Sequence, residues 1–188
     1  MELAWQWEER NGRLDPLRFY RDSELYLYDL TLYHDLMLAP RGTHTWFTNM
    51  VRDCGFRKVL DFGGGNGDWT LLAARAGATD VAYLDVDGVM SDFAKWRFDK
   101  HNICPKILTE NATLDEYYDA IVCMDVFEHM EDPAPTIATL AKKTPYIFCN
   151  PEEIPYNWIY PQHISRFDLS GHFTRMQKYL WKSNLCAP

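Results

Sequence analysis

The stretch VLDFGGGNGDW, Val59–Trp69, sets Asp61 directly before a run holding Gly63, Gly64, Gly65 and Gly67. A strand that ends in an acid and runs into GGGNGD can bring its backbone close to a ligand, because glycine has no Cβ and adopts positive φ freely. The helix that follows aims its first amides at whatever fills the loop, which favours a carboxylate or a phosphate there. Dinucleotide binding asks for GxGxxG, but counting from Gly63 places Asp68 where the third glycine belongs. The spacing that does fit is Asp61-x-Gly63-x-Gly65-x-Gly67.

A second acid stands at the end of the next β-prone run, VAYLD, where the Asp85 carboxylate can accept hydrogen bonds from both hydroxyls of a ribose. Asp87, two residues on, serves the same purpose if the strand ends later, and otherwise caps the following helix.

The acid and glycine spacing is similar to the D/E-x-G-x-G-x-G pattern of class I S-adenosylmethionine (SAM)-dependent methyltransferases. The segment YDAIVCMDVFEHMEDP, Tyr118–Pro133, resembles strand four of the branch that includes the ubiquinone-biosynthesis methyltransferases, with Glu128-His129 and Asp132-Pro133 as the matching pairs. The resemblance covers roughly residues 58–168. It implies that SAM is held by Asp61, Gly63, Gly65, Gly67, Asp85 and Asp125, with Asp61 meeting the methionine ammonium directly or through water. It further places an acid or polar residue after the third strand at the adenine amino group; Glu110 and Asn111 occupy that place, or form a solvated loop. GGGNGD is also similar to the GGGDG of polyamine synthases, but DVFEH stands where their strand-four acids belong.

The implied activity is methyl transfer to a small-molecule O, N or C acceptor, yielding S-adenosylhomocysteine. The alternative is a non-catalytic SAM-binding module serving a partner protein, which the short C-terminal stretch suggests. Transfer from a sulfonium needs alignment more than side-chain chemistry. His129, just past the strand-four end and with a reference pKa of about 6.5, is the first choice for general base. His163, in YPQHISRFD, is the second imidazole that the resemblance sets above the same pocket. Either histidine also reads as one that hydrogen-bonds a loop backbone. Asp125, Glu128 and His129 have i, i+3, i+4 spacing, and with His163 they are similar to divalent-cation sets in some ubiquinone and small-RNA methyltransferases. A metal is the less favoured reading, and no metal ligand is assigned.

The elements that position these residues alternate. KVLDF, VAYLD, PKIL, DAIVCMD and YIFCN are β-prone, with helical stretches over about 68–76, 89–101 and 134–142 between them. This predicts a Rossmann-like, doubly wound α/β fold with a mainly parallel sheet and helices on both faces. Residues 1–56 read as a helical N-terminal cap, including a helix over about 43–54, packed on a core of 57–188 to give one structural domain. Tyr20, Tyr26, Tyr28, Tyr33, Trp5, Trp7, Trp158 and Tyr160 are either aromatic walls for the acceptor or ordinary packing. The segment after Gly171 is strand, helix or both.

A formal charge of −8 on 188 residues disfavours nucleic acid and anionic membrane as partners and points to a small molecule. Five cysteines without a CxxC pair fit a reducing cytoplasm, and the sequence shows neither a signal segment nor a spanning run. The family fold ends in more chain after strand five than the 25 residues that follow His163, so an abbreviated or partner-covered sheet edge, and with it a homodimer, is expected.

Overall fold

A computed structural model describes residues 2–36, 38–150 and 161–185. Seven strands make a mostly parallel sheet in a mixed α/β fold, as the alternating pattern predicts. The chain divides into two compact units, one of residues 17–113 and one of residues 1–16 with 114–188.

The 17–113 unit carries helices α2 (Pro16–Asp22), α3 (Glu24–Leu36), α4 (Leu38–Cys54), α5 (Asp68–Ala76) and α6 (Val89–Lys100). Its strands β1 (Lys58–Phe62), β2 (Asp80–Asp85) and β3 (Lys106–Thr109) lie in the order β3-β2-β1. All are parallel, with Asp61 beside Tyr83 and Phe62 beside Leu84. Val81 to Leu84 are buried on both faces, which is why β2 reads as a continuous apolar run rather than an alternation. Beneath it, Leu71 of α5, Tyr83 of β2 and Ala94 and Phe98 of α6 form one buried cluster, against which Ile103 packs. Helix α4 begins at Leu38, earlier than Thr43, and extends through Pro40 and Gly42. Its Phe47 and His44 meet Trp69 edge-on at 5.2 and 4.7 Å.

Glycines bound α5 at both ends. Gly77 closes it in the left-handed conformation while its N–H and that of Ala78 return to Ala74 and Ala73. Gly67 starts it with φ 81°, and a Cβ there would stand 2.6 Å from the Phe98 ring.

The other unit holds α1 (Glu2–Arg10), β4 (Ala120–Cys123), a 3-10 turn over Phe127–His129, α7 (Ala134–Ala141), β5 (Tyr146–Cys149), β6 (Phe173–Arg175) and β7 (Leu180–Ser183). Their order is β4-β5-β7-β6, with β5 parallel to β4 and the last two strands antiparallel. The segment after Gly171 is thus a short antiparallel pair. The Ser183 hydroxyl ties it to the α7 carbonyl of Ala141 at 2.7 Å. Trp5 is fully buried, whereas Trp7, Tyr28 and Tyr33 face solvent and Tyr20 packs edge-on against Tyr26. Trp158 and Tyr160 lie outside the described residues.

Both helix-bounding glycines are left-handed, but only Gly67 also lacks room for a side chain. Gly67→Ala is expected to lower unfolding free energy by about 1–3 kcal/mol more than Gly77→Ala, the excess being the overlap with Phe98. Urea unfolding of the two variants measures the difference, and equal losses would remove the packing argument.

Candidate functional site

Each unit carries one cluster of chemistry-bearing side chains. In the 17–113 unit the glycine loop leaves β1 and is gripped by the end of β2. The amides of Gly63 and Gly64 both donate to the Leu84 carbonyl, at 2.8 and 3.1 Å, and Gly67 N–H closes the turn on Gly64 O at 2.8 Å. Tyr83 and Asp85, two apart on β2, share a face and take hold of one residue. The buried Tyr83 hydroxyl donates to Gly65 O at 2.7 Å, and Gly65 N–H donates to Asp85 Oδ2 at 2.5 Å. No side chain fits at Gly64, where a Cβ would lie 2.6 Å from the Tyr83 ring and 2.9 Å from Asp61 Cγ.

Asp61 is buried, and its Oδ2 accepts from both the backbone N–H and the hydroxyl of Thr70, at 2.9 and 2.8 Å. Thr70 lies in the first turn of α5, whose cap, Gly67, has no side chain to offer, so Asp61 satisfies an amide the helix leaves open. Burial pushes the Asp61 carboxyl up to about 7 against the pull of those two bonds. Asp85 is likewise pushed up by burial, to about 6, although the Gly65 and Val86 amides draw it down.

On the far side of the loop, Arg97 of α6 donates to Asn66 O at 2.7 Å and to Asp68 Oδ1 at 2.6 Å. Asn66 is 1% exposed; its Oδ1 accepts the Asp68 amide at 3.2 Å, and its Nδ2 has no partner. From the N-terminal helices, Leu30 stands 3.0 Å from where a Cβ on Gly65 would be. Arg21 pairs with Glu110, whose other oxygen accepts the Asp87 amide at 3.2 Å. Asp87 itself receives the Ser91 hydroxyl and Lys95, just before the start of α6.

The second cluster forms where β4 and β5 end. Asp125 has φ 56°, so the chain turns there and Asp125 does not share a helical turn with Glu128 and His129, as i, i+3, i+4 spacing suggests. Asn150, at the end of β5, joins them instead. Its Oδ1 accepts the Asp125 amide at 3.0 Å while its Nδ2 donates to the carboxylates of Asp125 and Glu128. Glu128 is buried, and burial with the neighbouring Asp125 charge pushes its carboxyl up to about 8. Its backbone carbonyl accepts the amides of Ile164 and Ser165, at 2.8 and 3.2 Å, which docks the His163 segment on the 3-10 turn.

The two histidines meet there with ring centroids 5.0 Å apart, edge to face. His129 Nδ1 lies 3.0 Å from the Gln162 carbonyl and so carries the proton, leaving Nε2 as the lone pair. Burial lowers the His129 imidazole to about 4, away from the reference value that made it a neutral-pH base on paper. One atom each from Glu128, His129 and His163 lies within 4.8 Å of the others, a set able to hold a metal ion. In the residue before His163, Gln162, the side-chain Oε1 is buried with no partner.

Sequence spacing thus finds Asp61, Gly65 and Asp85 in one cluster and Glu128, His129 and His163 in another. It misses Tyr83, Arg97, Asn66 and Asn150. Asn66 sits inside the motif as the residue between glycines, and Asn150 follows β5 directly before a proline; both positions are visible, but Arg97 on the Asn66 carbonyl and Asp125 on Asn150 are distant in sequence.

Residues 31–150 match the methyltransferase-domain family. No curated protein matches in sequence. Among solved structures, the chain is similar to N-methyltransferase NodS from Bradyrhizobium japonicum WM9, in complex with S-adenosylhomocysteine, at 15% identity and a TM-score of 0.62. The match covers 80% of this chain and 90% of that one. It is similar also to magnesium protoporphyrin IX methyltransferase from Synechocystis PCC 6803 with bound S-adenosylhomocysteine, at 20% identity, TM-score 0.60, and 73% and 71% coverage. A S-adenosylmethionine-dependent methyltransferase from Clostridium acetobutylicum ATCC 824 matches at 14% identity and TM-score 0.56; the match covers 67% of this chain but only 57% of that protein's length. These likenesses establish the shared fold. Since the family match spans more than half of the sequence, the chain belongs to the methyltransferase-domain family.

Proposed function

We propose that the chain is a SAM-dependent methyltransferase acting on a small molecule. The observation that carries this reading is the frame made by Asp61, Gly65 and Asp85, in which a glycine backbone too crowded at Gly64 for any side chain is flanked by a buried carboxyl group, Asp61, and a half-buried one, Asp85. The donor set suits SAM. An ammonium pairs with Asp61, whose Oδ2 alone is used by Thr70, and two ribose hydroxyls find lone pairs on Asp85 beyond those given to Gly65 and Val86. When bound, SAM supplies a methyl group on a sulfonium, itself a good leaving group.

The cluster at the β4 and β5 ends handles the acceptor. His129 is neutral at pH 7 with its Nε2 lone pair fixed by the Gln162 bond, so it orients an acceptor O–H or N–H by accepting its hydrogen bond. With an imidazole lowered to about 4, it is a weak base, suited to an acceptor that sheds its proton readily. His163 packs edge-on against it, and Asn150 holds Glu128 behind it. The small-molecule acceptor is supported by the net charge of −8. Among the described residues no helix is long and apolar enough to cross a membrane. A second reading rests on the compact Glu128, His129 and His163 set: a divalent cation held there orients acceptor oxygens.

Calorimetry is expected to show S-adenosylhomocysteine binding at micromolar affinity, weakened at least tenfold by Asp85→Asn; absence of any binding to the unsubstituted chain would sink the assignment. The affinity also depends on pH. Asp61 near 7 and Asp85 near 6 are partly protonated at acid pH, and the ligand's ammonium against Asp61 and ribose hydroxyls donating to Asp85 favour the ionised forms, so binding drives protons off. Affinity therefore rises with pH, by roughly tenfold between pH 5.5 and 7.5; a flat or falling profile contradicts the ammonium contact. For the second cluster, His129→Ala is expected to lower kcat by about tenfold or more while leaving S-adenosylhomocysteine affinity unchanged. A chelator separates the two readings: unchanged turnover in EDTA supports the histidine alone, and loss that added Mg²⁺ or Mn²⁺ restores supports the cation.

A further inference from the structure

The β6–β7 hairpin brings positive charge to the end of the sheet where β4 and β5 finish. Register places it there: β7 runs antiparallel to β5 with Leu180 opposite Phe148, so the residues just before Leu180 lie past the end of β5. The Cys149 amide, directly before Asn150, donates to the Tyr179 carbonyl at 2.9 Å. Met176 to Tyr179 therefore form a turn beside the strand end that carries Asn150, whose side-chain amide holds Asp125 and Glu128. The amides of Met176 and Gln177 close that turn by donating to the Leu180 carbonyl.

Two exposed cations, Arg175 and Lys178, flank the turn. Arg175 Nε and Nη2 lie 3.4 Å from the carbonyls of Gln177 and Lys178, which folds the guanidinium over the turn, and its central carbon stands 5.8 Å from the Trp181 ring centre. Those bonds are long, and they leave Nη1 uncommitted. Lys178 Nζ stands 4.9 Å from the Tyr179 ring centre. Among the described residues no carboxylate pairs with either cation, whereas Arg21, Lys58, Lys95 and Arg97 each hold an acid. In a chain with 27 acidic residues against 19 Lys and Arg, the turn thus concentrates positive charge that no described acid neutralises.

Charge is therefore separated across this end of the sheet. Asp125 and Glu128 follow β4, and the cations precede β7, two strand spacings or roughly 10 Å away. An anion is repelled at the Asp125 side and attracted at the turn, where a guanidinium fork suits a carboxylate or a phosphate. An acceptor lying across the strand ends with its nucleophile towards His129 is oriented by both.

We propose that the β6–β7 turn is the specificity-determining subsite for a methyl acceptor that carries an anionic group, a carboxylate or a phosphate, with Arg175 and Lys178 as its donors. This rests on the methyl-transfer reading above and deepens it by naming the class of acceptor. The anion sits at the far end of the acceptor, roughly 10 Å or less from the atom that is methylated.

The test is methyl transfer from SAM by the full chain to matched acceptors: para-hydroxyphenylpropionate, para-hydroxyphenylpropyl phosphate, para-aminophenylpropionate, and the methyl esters of the two propionates. An anionic member is expected to have kcat/KM at least about tenfold above its neutral ester, and the better of carboxylate and phosphate identifies the anion. The double variant Arg175→Ala with Lys178→Ala is expected to cut that preference to about twofold or less, while S-adenosylhomocysteine affinity by calorimetry stays within about twofold and shows the variant to be folded. Arg175→Lys, which keeps the charge but loses the fork, retains part of the preference. Added NaCl lowers kcat/KM for the anionic member more than for the ester. If esters are used as well as acids, or if the double variant slows both alike, the cations only solvate the hairpin and the proposal is overturned. Transfer to none of these acceptors by a chain that binds S-adenosylhomocysteine also overturns it, with the SAM reading intact. Failure to bind S-adenosylhomocysteine removes both.

Discussion

The end of β2 governs the glycine loop. Three successive residues there each hold it: Tyr83 by its hydroxyl on Gly65 O, Leu84 by its carbonyl on two glycine amides, and Asp85 by its carboxylate on Gly65 N–H. This works only in one register, with Asp61 beside Tyr83 and Phe62 beside Leu84. A slip of one residue would send Tyr83 and Asp85 to the opposite face of the strand and leave the loop without its clamps. The register is secured in turn by the buried cluster of Leu71, Tyr83, Ala94 and Phe98, so the ring that packs the core belongs to the residue whose hydroxyl shapes the site. Core packing and site geometry are one constraint here.

That coupling explains which parts were legible in the sequence. Helix α5 falls at residues 68–76 as expected because Gly67 and Gly77 mark both ends by backbone conformation, a local property. The order of strands and helices is equally local, since each element declares its own periodicity or apolar run. Asp61, Gly65 and Asp85 are legible because their spacing lies within one β-α-β stretch. The roles of Arg97 and Asn150 are not: Arg97 reaches Asn66 across 31 residues and Asn150 reaches Asp125 across 25, and no spacing rule encodes either contact. Helix α4 shows a different failure, since the sequence reading starts it at about residue 43 whereas Pro40 and Gly42 sit in its first turns, where proline's missing N–H costs nothing. His129 was found by type and place, yet its proton affinity is set by burial, which the sequence does not state.

The acids show what the arrangement demands of the fold. Asp61, Asp85 and Glu128 are all pushed upward by burial, so the folded chain holds protons that an unfolded chain would have released. Their contribution to stability is therefore present below the ordinary carboxylate range and is lost as pH rises through about 6 to 8, at about 1.4 kcal/mol for each tenfold difference in proton affinity. His129 acts in the opposite direction. Lowered to about 4, it favours the folded state at neutral pH and loses that contribution as pH falls from about 6.5 towards 4. The two effects leave the ligand-free chain near neutral pH carrying carboxyl groups that are ready to ionise but do so at a cost. A cation placed against Asp61 offsets that cost at the point where it arises. On the proposed reading, a ligand with an ammonium relieves there a cost the folded chain already bears, whereas a pyrophosphate would add to it. The charge at Asp61 thus supports the proposed methyl-transfer reading over a dinucleotide one by an argument separate from glycine spacing.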